Sequence, residues 1–189
     1  MAIGSIDDFK AKLAGGGSRT NLFRVRLNNP AGVAAGLNLE LAAFMCEGAQ
    51  LPESTVGLIE IPFRGRRFKI AGERVFAEWT VTVINDTEFV TRDGLERWMN
   101  AIANHADAGG SQDPRNYFTD LHVDQLGRDN QILKSYTFKD AWPQSVSAID
   151  LSYAAEDIAR FTVTWQYQYW VSNTTDGDFN PVSALVQTG

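Results

Sequence analysis

Cys46, His105 and His122 are the side chains to test first for chemistry, because they are the only cysteine and the only two histidines among 189 residues. A cysteine with an imidazole beside it could act as a nucleophile. Here Phe44, Met45 and Leu51 flank Cys46 in sequence, which points to a packed strand in which the thiol serves as a small hydrophobe. His122 and Asp124 fall on one face of an alternating segment and supply two metal ligands without a third. No Cys-x-x-Cys, His-Glu-x-x-His, Gly-x-Gly-x-x-Gly or Gly-x-Ser-x-Gly occurs. The run Arg64-Gly65-Arg66-Arg67 lacks the glycine frame and the Lys-Ser/Thr ending of a phosphate loop. The 23 acidic residues offer many carboxylate pairs, and nothing marks one of them for acid–base work. The expectation is no catalytic residue, no metal ligand and no cofactor.

Charge is more informative. Arg64, Arg66, Arg67 and Lys69 lie within six residues, with no acid from Ile61 to Gly72. The formal net charge is −6; setting these four aside leaves 13 of the 17 basic residues against 23 acidic ones, a balance of −10. An acidic body with one basic finger does not fit a generic DNA binder, which needs a basic face to displace phosphate counterions. It is compatible with a wall that DNA slides past, since negative charge repels phosphate. The finger reads as a hairpin from Val56 to Val75 that turns around 63–66. Three readings of it stand: docking onto an acidic surface, contact with nucleic acid, or a solvated hairpin. Ile59, Ile61, Phe63, Phe68 and Ile70 on the same finger favour docking, because such apolar surface is a liability in a monomer. The candidate docking residues are therefore Ile59, Ile61, Phe63, Arg64, Arg66, Arg67, Phe68, Lys69 and Ile70.

The elements that must carry this finger read mainly as strands. Phe23, Val25 and Leu27 alternate with Arg24 and Arg26; Trp79, Val81 and Val83 alternate with Glu78, Thr80 and Thr82. Leu121 and Val123 alternate with Asp120, His122 and Asp124, a polar face expected to be solvated. A turn at 125–130 leads to the Tyr136 and Phe138 strand. Residues 161–170 read as one long strand, with Phe161, Val163, Trp165, Tyr167 and Tyr169 on its core face. Trp170 falls on the opposite face, as at an interface. Leu95, Trp98, Met99 and Ile102 give the stripe of a helix that ends by Gly109-Gly110, with Thr91 as its expected N-cap. Ile6, Phe9 and Leu13 suit a short helix before the joint Gly15-Gly16-Gly17-Ser18. Three parts follow: residues 1–18 as a short segment with a Gly-rich joint, 19–173 as the β domain, and 174–189 as a loosely held tail. No basic, apolar leader opens the chain and no run of about 18 apolar residues occurs, so no membrane partner is expected.

Taken in order, these pieces resemble the tail tube proteins of contractile-tailed phages. The resemblance begins at 21–27 (NLFRVRL) and continues through 44–52 (FMCEGAQLP), the long hairpin and 79–86 (WTVTVIND). It then takes in the helix bearing Leu95-Glu96-Arg97-Trp98, 136–143 (YTFKDAWP), 146–151 (VSAIDL) and 161–170 (FTVTWQYQYW). It spans Ile3 to Asn173. It implies a mainly β fold, an antiparallel β-sandwich or small β-barrel with one flanking α-helix and a long protruding hairpin. It further implies six-membered rings stacked into a tube within a sheath, ended by baseplate and terminator proteins, through which DNA passes without specific binding. Such a subunit would be assembled in the host cytoplasm and reside in the virion tail. Tube-like baseplate or terminator proteins and the inner tubes of pyocin-like particles, extracellular injection systems and type VI secretion share the resemblance; a small ligand-binding barrel is the rival from another class. The bore would be lined by one of two strand faces, Glu78, Thr80 and Thr82 or Asp120, His122 and Asp124.

Overall fold

Alternating β-branched and aromatic residues form strands wherever a second layer can cover their apolar side. The computed structural model describes residues 6–12, 17–107, 109–154 and 156–174. It contains β1 (Phe23–Arg26), β2 (Cys46–Ala49), β3 (Ser54–Phe63), β4 (Arg66–Phe76), β5 (Trp79–Ile84), β6 (Thr119–Leu126), β7 (Ile132–Val146), β8 (Arg160–Gln166) and β9 (Tyr169–Ser172). The helices are α1 (Ile6–Lys12), α2 (Leu39–Phe44) and α3 (Val90–Ile102). Every strand pair is antiparallel. The fold is mainly antiparallel β, as the alternation implied.

Strand β7 joins two layers. Its first part pairs with β6 and β9, and its last part pairs with β8. The switch falls at Asp140, whose φ of 55° puts a left-handed step in the strand. One layer is thus β1-β6-β7-β9, and the other is β7-β8-β5-β2. Between them Trp79 stacks on Phe138 at 4.2 Å, and Trp98 of α3 meets Trp165 edge-on at 5.5 Å. Val25, Leu121, Val123, Val81, Phe161 and Val163 are buried with them. Full burial of a Val, Leu or Phe side chain is worth roughly 1.5–3 kcal/mol, so this shared core holds the two layers together.

Three sequence expectations need correction. Residues 161–170 are two strands: the chain turns a corner at 167–168, held by Tyr167 Oη donating to Ala77 O at 2.6 Å and Gln168 N donating to Lys139 O at 3.0 Å. Because β9 joins the other layer, Trp170 points inward, edge-on to Tyr136 at 5.3 Å. Thr91 is not the N-cap of α3. That position belongs to Phe89, with φ of 56°, and the Asp86 carboxylate accepts from Val90 N at 3.0 Å. This carboxylate takes up an otherwise unpaired amide, and Thr91 is buried within the first turn. Phe44 is not in a packed strand. Asn38 caps Leu41 N at 3.1 Å, the residues up to Phe44 close into a short helix, and Phe44 is left exposed. Leu51 is exposed as well.

Candidate assembly surface

The hairpin β3–β4 is a sheet of its own. Its tip is a two-residue turn at Arg64-Gly65, with φ of 45° and 80°. Two successive positive φ values match the primed turns whose twist suits a hairpin. Among the described residues its contacts are mainly between its own two strands, and Phe76 at its base anchors it against Tyr167 and Trp170, both at 6.3 Å. Beyond that base the arm projects uncovered.

Strand register sorts the arm into two faces. Ile59 pairs with Ile70, Ile61 with Phe68 and Phe63 with Arg66, giving one apolar face. Phe63 is 66% exposed and Phe68 63%. On the other face Glu60 pairs with Lys69, and Pro62 with Arg67. The Glu60 carboxylate takes Arg67 at 2.7 Å and Lys69 at 3.6 Å. Both cations are largely exposed, so these pairs contribute about 0–1 kcal/mol each. Arg64 lies over the Phe63 ring at 5.4 Å, and Arg66 makes no ion pair among the described residues. The structure thus brings all nine candidate docking residues onto one exposed arm: Ile59, Ile61, Phe63, Phe68 and Ile70 share a face with Arg66, Arg64 sits at the turn over Phe63, and Arg67 and Lys69 pair with Glu60 on the other face. Near its middle the arm is notched. Gly57 and Gly72 approach so closely that a Cβ on Gly72 would lie 3.2 Å from the Gly57 carbonyl carbon, and the register shifts there.

The two candidate bore-lining faces lie on opposite layers. Thr80 and Thr82 of β5 pair with Thr164 and Thr162 of β8 in a half-buried, uncharged threonine surface, with Glu78 exposed at its end. On the other layer Asp124 departs from the solvated setting expected of it. It is fully buried beneath Arg24 and Arg26, at 3.3 and 3.1 Å, and accepts from Ser135 Oγ at 2.6 Å. Burial alone pushes its carboxyl up, but hydrogen bonds from Ser135, Arg26 and Arg24 outweigh that and hold it below the usual carboxylate range. Asp120 is paired with Lys139 at 2.5 Å. His122 bonds Thr137 Oγ1 at 3.0 Å; burial first, then the Arg26 charge, lowers its pKa. This face therefore carries three cations on two aspartates and is not an acidic wall.

Cys46 is half-buried, and burial pushes its thiol up to about 11, which keeps it protonated and poorly nucleophilic. A groove of about 590 Å³ at the seam beside β1 and β2 is lined by Phe23, Arg24, Phe44, Cys46, Glu47 and Asn130 among others, and it is open to solvent. Among the described residues no helix is long and apolar enough to cross a membrane. Sequence reasoning missed one exposed apolar surface. The loop between β7 and β8 displays Leu151, 89% exposed, with Tyr153 and Ile158 also uncovered. In the sequence, 146–151 (VSAIDL) enters only as part of the resemblance, and nothing in its pattern assigns its apolar residues to the surface.

A sandwich that carries uncovered apolar residues along a projecting arm is marked by that arm rather than by a pocket. Residues 18–173 match the family model described as phage tail tube protein, and the chain belongs to that family. It is 30% identical over 168 residues to the tail tube protein gp19 of Enterobacteria phage T4, covering 87% of this chain and 98% of that one. The tail tube protein of Serratia phage KSP90 is 25% identical over 172 residues, covering 89% and 97%. The fold is also that of two solved assemblies, each at 14% identity. One is the tube-terminating cap of the anti-feeding prophage, at a TM-score of 0.61 over 91% of this chain and 93% of that chain. The other belongs to the PVC extracellular contractile injection system, solved as its sheath-tube complex in the extended state, at 0.58 over 89% and 97%.

Proposed function

We propose that this chain is a structural subunit that assembles with copies of itself into six-membered rings, stacked as the inner tube of a contractile phage tail. The uncovered, amphipathic hairpin is the observation that carries the reading. Side chains such as Ile61, Phe63 and Phe68 gain roughly 1.5–3 kcal/mol each on full burial, so an arm that ends in solvent in the monomer is strongly favoured to find a cover. Identical head-to-tail contacts then either close into rings or propagate. In this reading residues 19–173 form the tube domain, with 1–18 and 174–189 as a segment and a tail on either side; the span of the family match supports that division. The tail from residue 175 on lies outside the described residues. The subunit works without catalysis or cofactor, and the protonated Cys46 thiol agrees with this.

The partners in this reading are other copies of the chain, a tail sheath, and baseplate and terminator proteins; the site of residence is the virion tail after assembly in the host cytoplasm. DNA passes along the bore. Of the two outer faces, the Glu78, Thr80 and Thr82 face suits that passage better. It offers phosphate no cation at its centre, whereas the Asp120, His122 and Asp124 face presents half-exposed Arg24 and Arg26. Electron microscopy of purified protein tests the reading. Long hollow tubes are expected, and Phe63→Ser with Phe68→Ser should leave folded particles that no longer assemble. Single rings or caps that never elongate would instead indicate a tube-ending protein. Stable monomers at high concentration would sink the proposal.

A further inference from the structure

The hairpin needs a surface to dock on, and the chain carries one that matches it in both charge and apolarity. The loop between β7 and β8, residues 147–159, contains Asp150, Glu156 and Asp157 and no basic residue. None of the three acids has an ion-pair partner among the described residues, and all are exposed. Leu151, Tyr153 and Ile158 stand exposed beside them. The outer arm carries Arg64, Arg66, Arg67 and Lys69 against the single acid Glu60, a net charge of +3 opposite the loop's −3. Such complementarity sets register and disfavours wrong pairings. In one chain the arm does not cover this loop, for its strands contact chiefly each other and Leu151 remains open. The cover must come from a second molecule.

We propose that the 147–159 loop is the receptor for the hairpin of a second copy of this chain, with the apolar face of that arm on Leu151, Tyr153 and Ile158 and its guanidinium groups on Asp150, Glu156 and Asp157. This rests on the assembling-arm reading above and adds the surface that the arm binds. The contact is heterologous, because arm and loop are different patches of one molecule, so it leaves an unused arm and an unused loop at the two ends of any open assembly.

Charge exchange tests it. The hairpin variant Arg64→Glu with Arg66→Glu and the loop variant Asp150→Lys with Glu156→Lys and Asp157→Lys should each stay folded by circular dichroism. Each alone should require about tenfold or more protein to assemble, as like charges then face one another. An equimolar mixture should recover assembly, because each variant's arm then meets an opposite loop in the other, and so should a single chain carrying all five changes. In a Cys46→Ser background, Phe63→Cys with Leu151→Cys should give disulfide-linked ladders on non-reducing gels. A loop variant that assembles like the parent, a mixture that stays unassembled, or the absence of ladders would each overturn the receptor assignment. If the hairpin variant alone is impaired, the arm keeps its role and only the loop loses it; if neither variant is impaired, the arm reading falls too.

Discussion

The sandwich and its arm are built from the same alternation and end in opposite environments. In β5 and β8, Trp79, Val81, Phe161, Val163 and Trp165 alternate with threonines and are buried. In β3 and β4, Ile59, Ile61, Phe63, Phe68 and Ile70 line one face just as regularly and stay exposed. The difference is the second layer. The body supplies one by turning β7 at Asp140 and folding α3 onto Trp165. Among the described residues the arm is anchored through Phe76 at its base. Period-2 patterning therefore says that a face must be covered, not by which molecule.

Trp79→Ala is the harshest way to press this contrast. Removing the ring stacked on Phe138 should cost about 3–5 kcal/mol, whereas Phe68→Ala on the arm should move stability by less than about 0.5 kcal/mol. Urea titrations of both variants measure the gap; similar losses would mean that the arm is folded into the body's cooperative unit. Asp124→Asn comes next. It strips the charge that pairs Arg24 and Arg26, which lie on one layer of the body, and should cost about 1–3 kcal/mol in the same titration. An unchanged midpoint would show that the network does not hold β1 to β6.

The smallest effect is a pH dependence confined to the body. His122 has a pKa lowered in the folded state, so its contribution is complete above 6.5 and fades as pH falls through the lowered value. Asp124 is also depressed; its contribution is present above 3.8 and is lost as pH falls through its folded-state value. Stability should thus decline on acidification in two stages, and His122→Gln should remove the first. A decline that His122→Gln leaves unchanged would assign it to other groups.

Much of this layout was legible in residue order. The hairpin, its turn at 63–66, helix α3 and the core residues of β5, β6 and β8 follow from periodicity and turn chemistry. The corner between β8 and β9 did not, because alternation runs unbroken across Tyr167 and Gln168 while the hydrogen bonds change layers. The helix α2 was hidden by its length, since six residues give no full apolar stripe. Asp124 reads as solvated because the arginines that bury it lie 98 and 100 residues away in sequence. The arm residues proposed to dock stand out in local composition; the loop proposed to receive them does not, because exposure of Leu151 and Tyr153 is a property of the packed chain alone.

The length of β3 gives the arm a further meaning. Its ten residues, at about 3.3 Å apiece, span about 33 Å from base to tip. In the assembly proposed above, the surface that receives the tip sits about that far from the body that sends it. Under that proposal β3 sets the spacing between successive molecules, and inserting one residue pair on each side of the turn would lengthen it by about 7 Å while keeping every side chain on its own face.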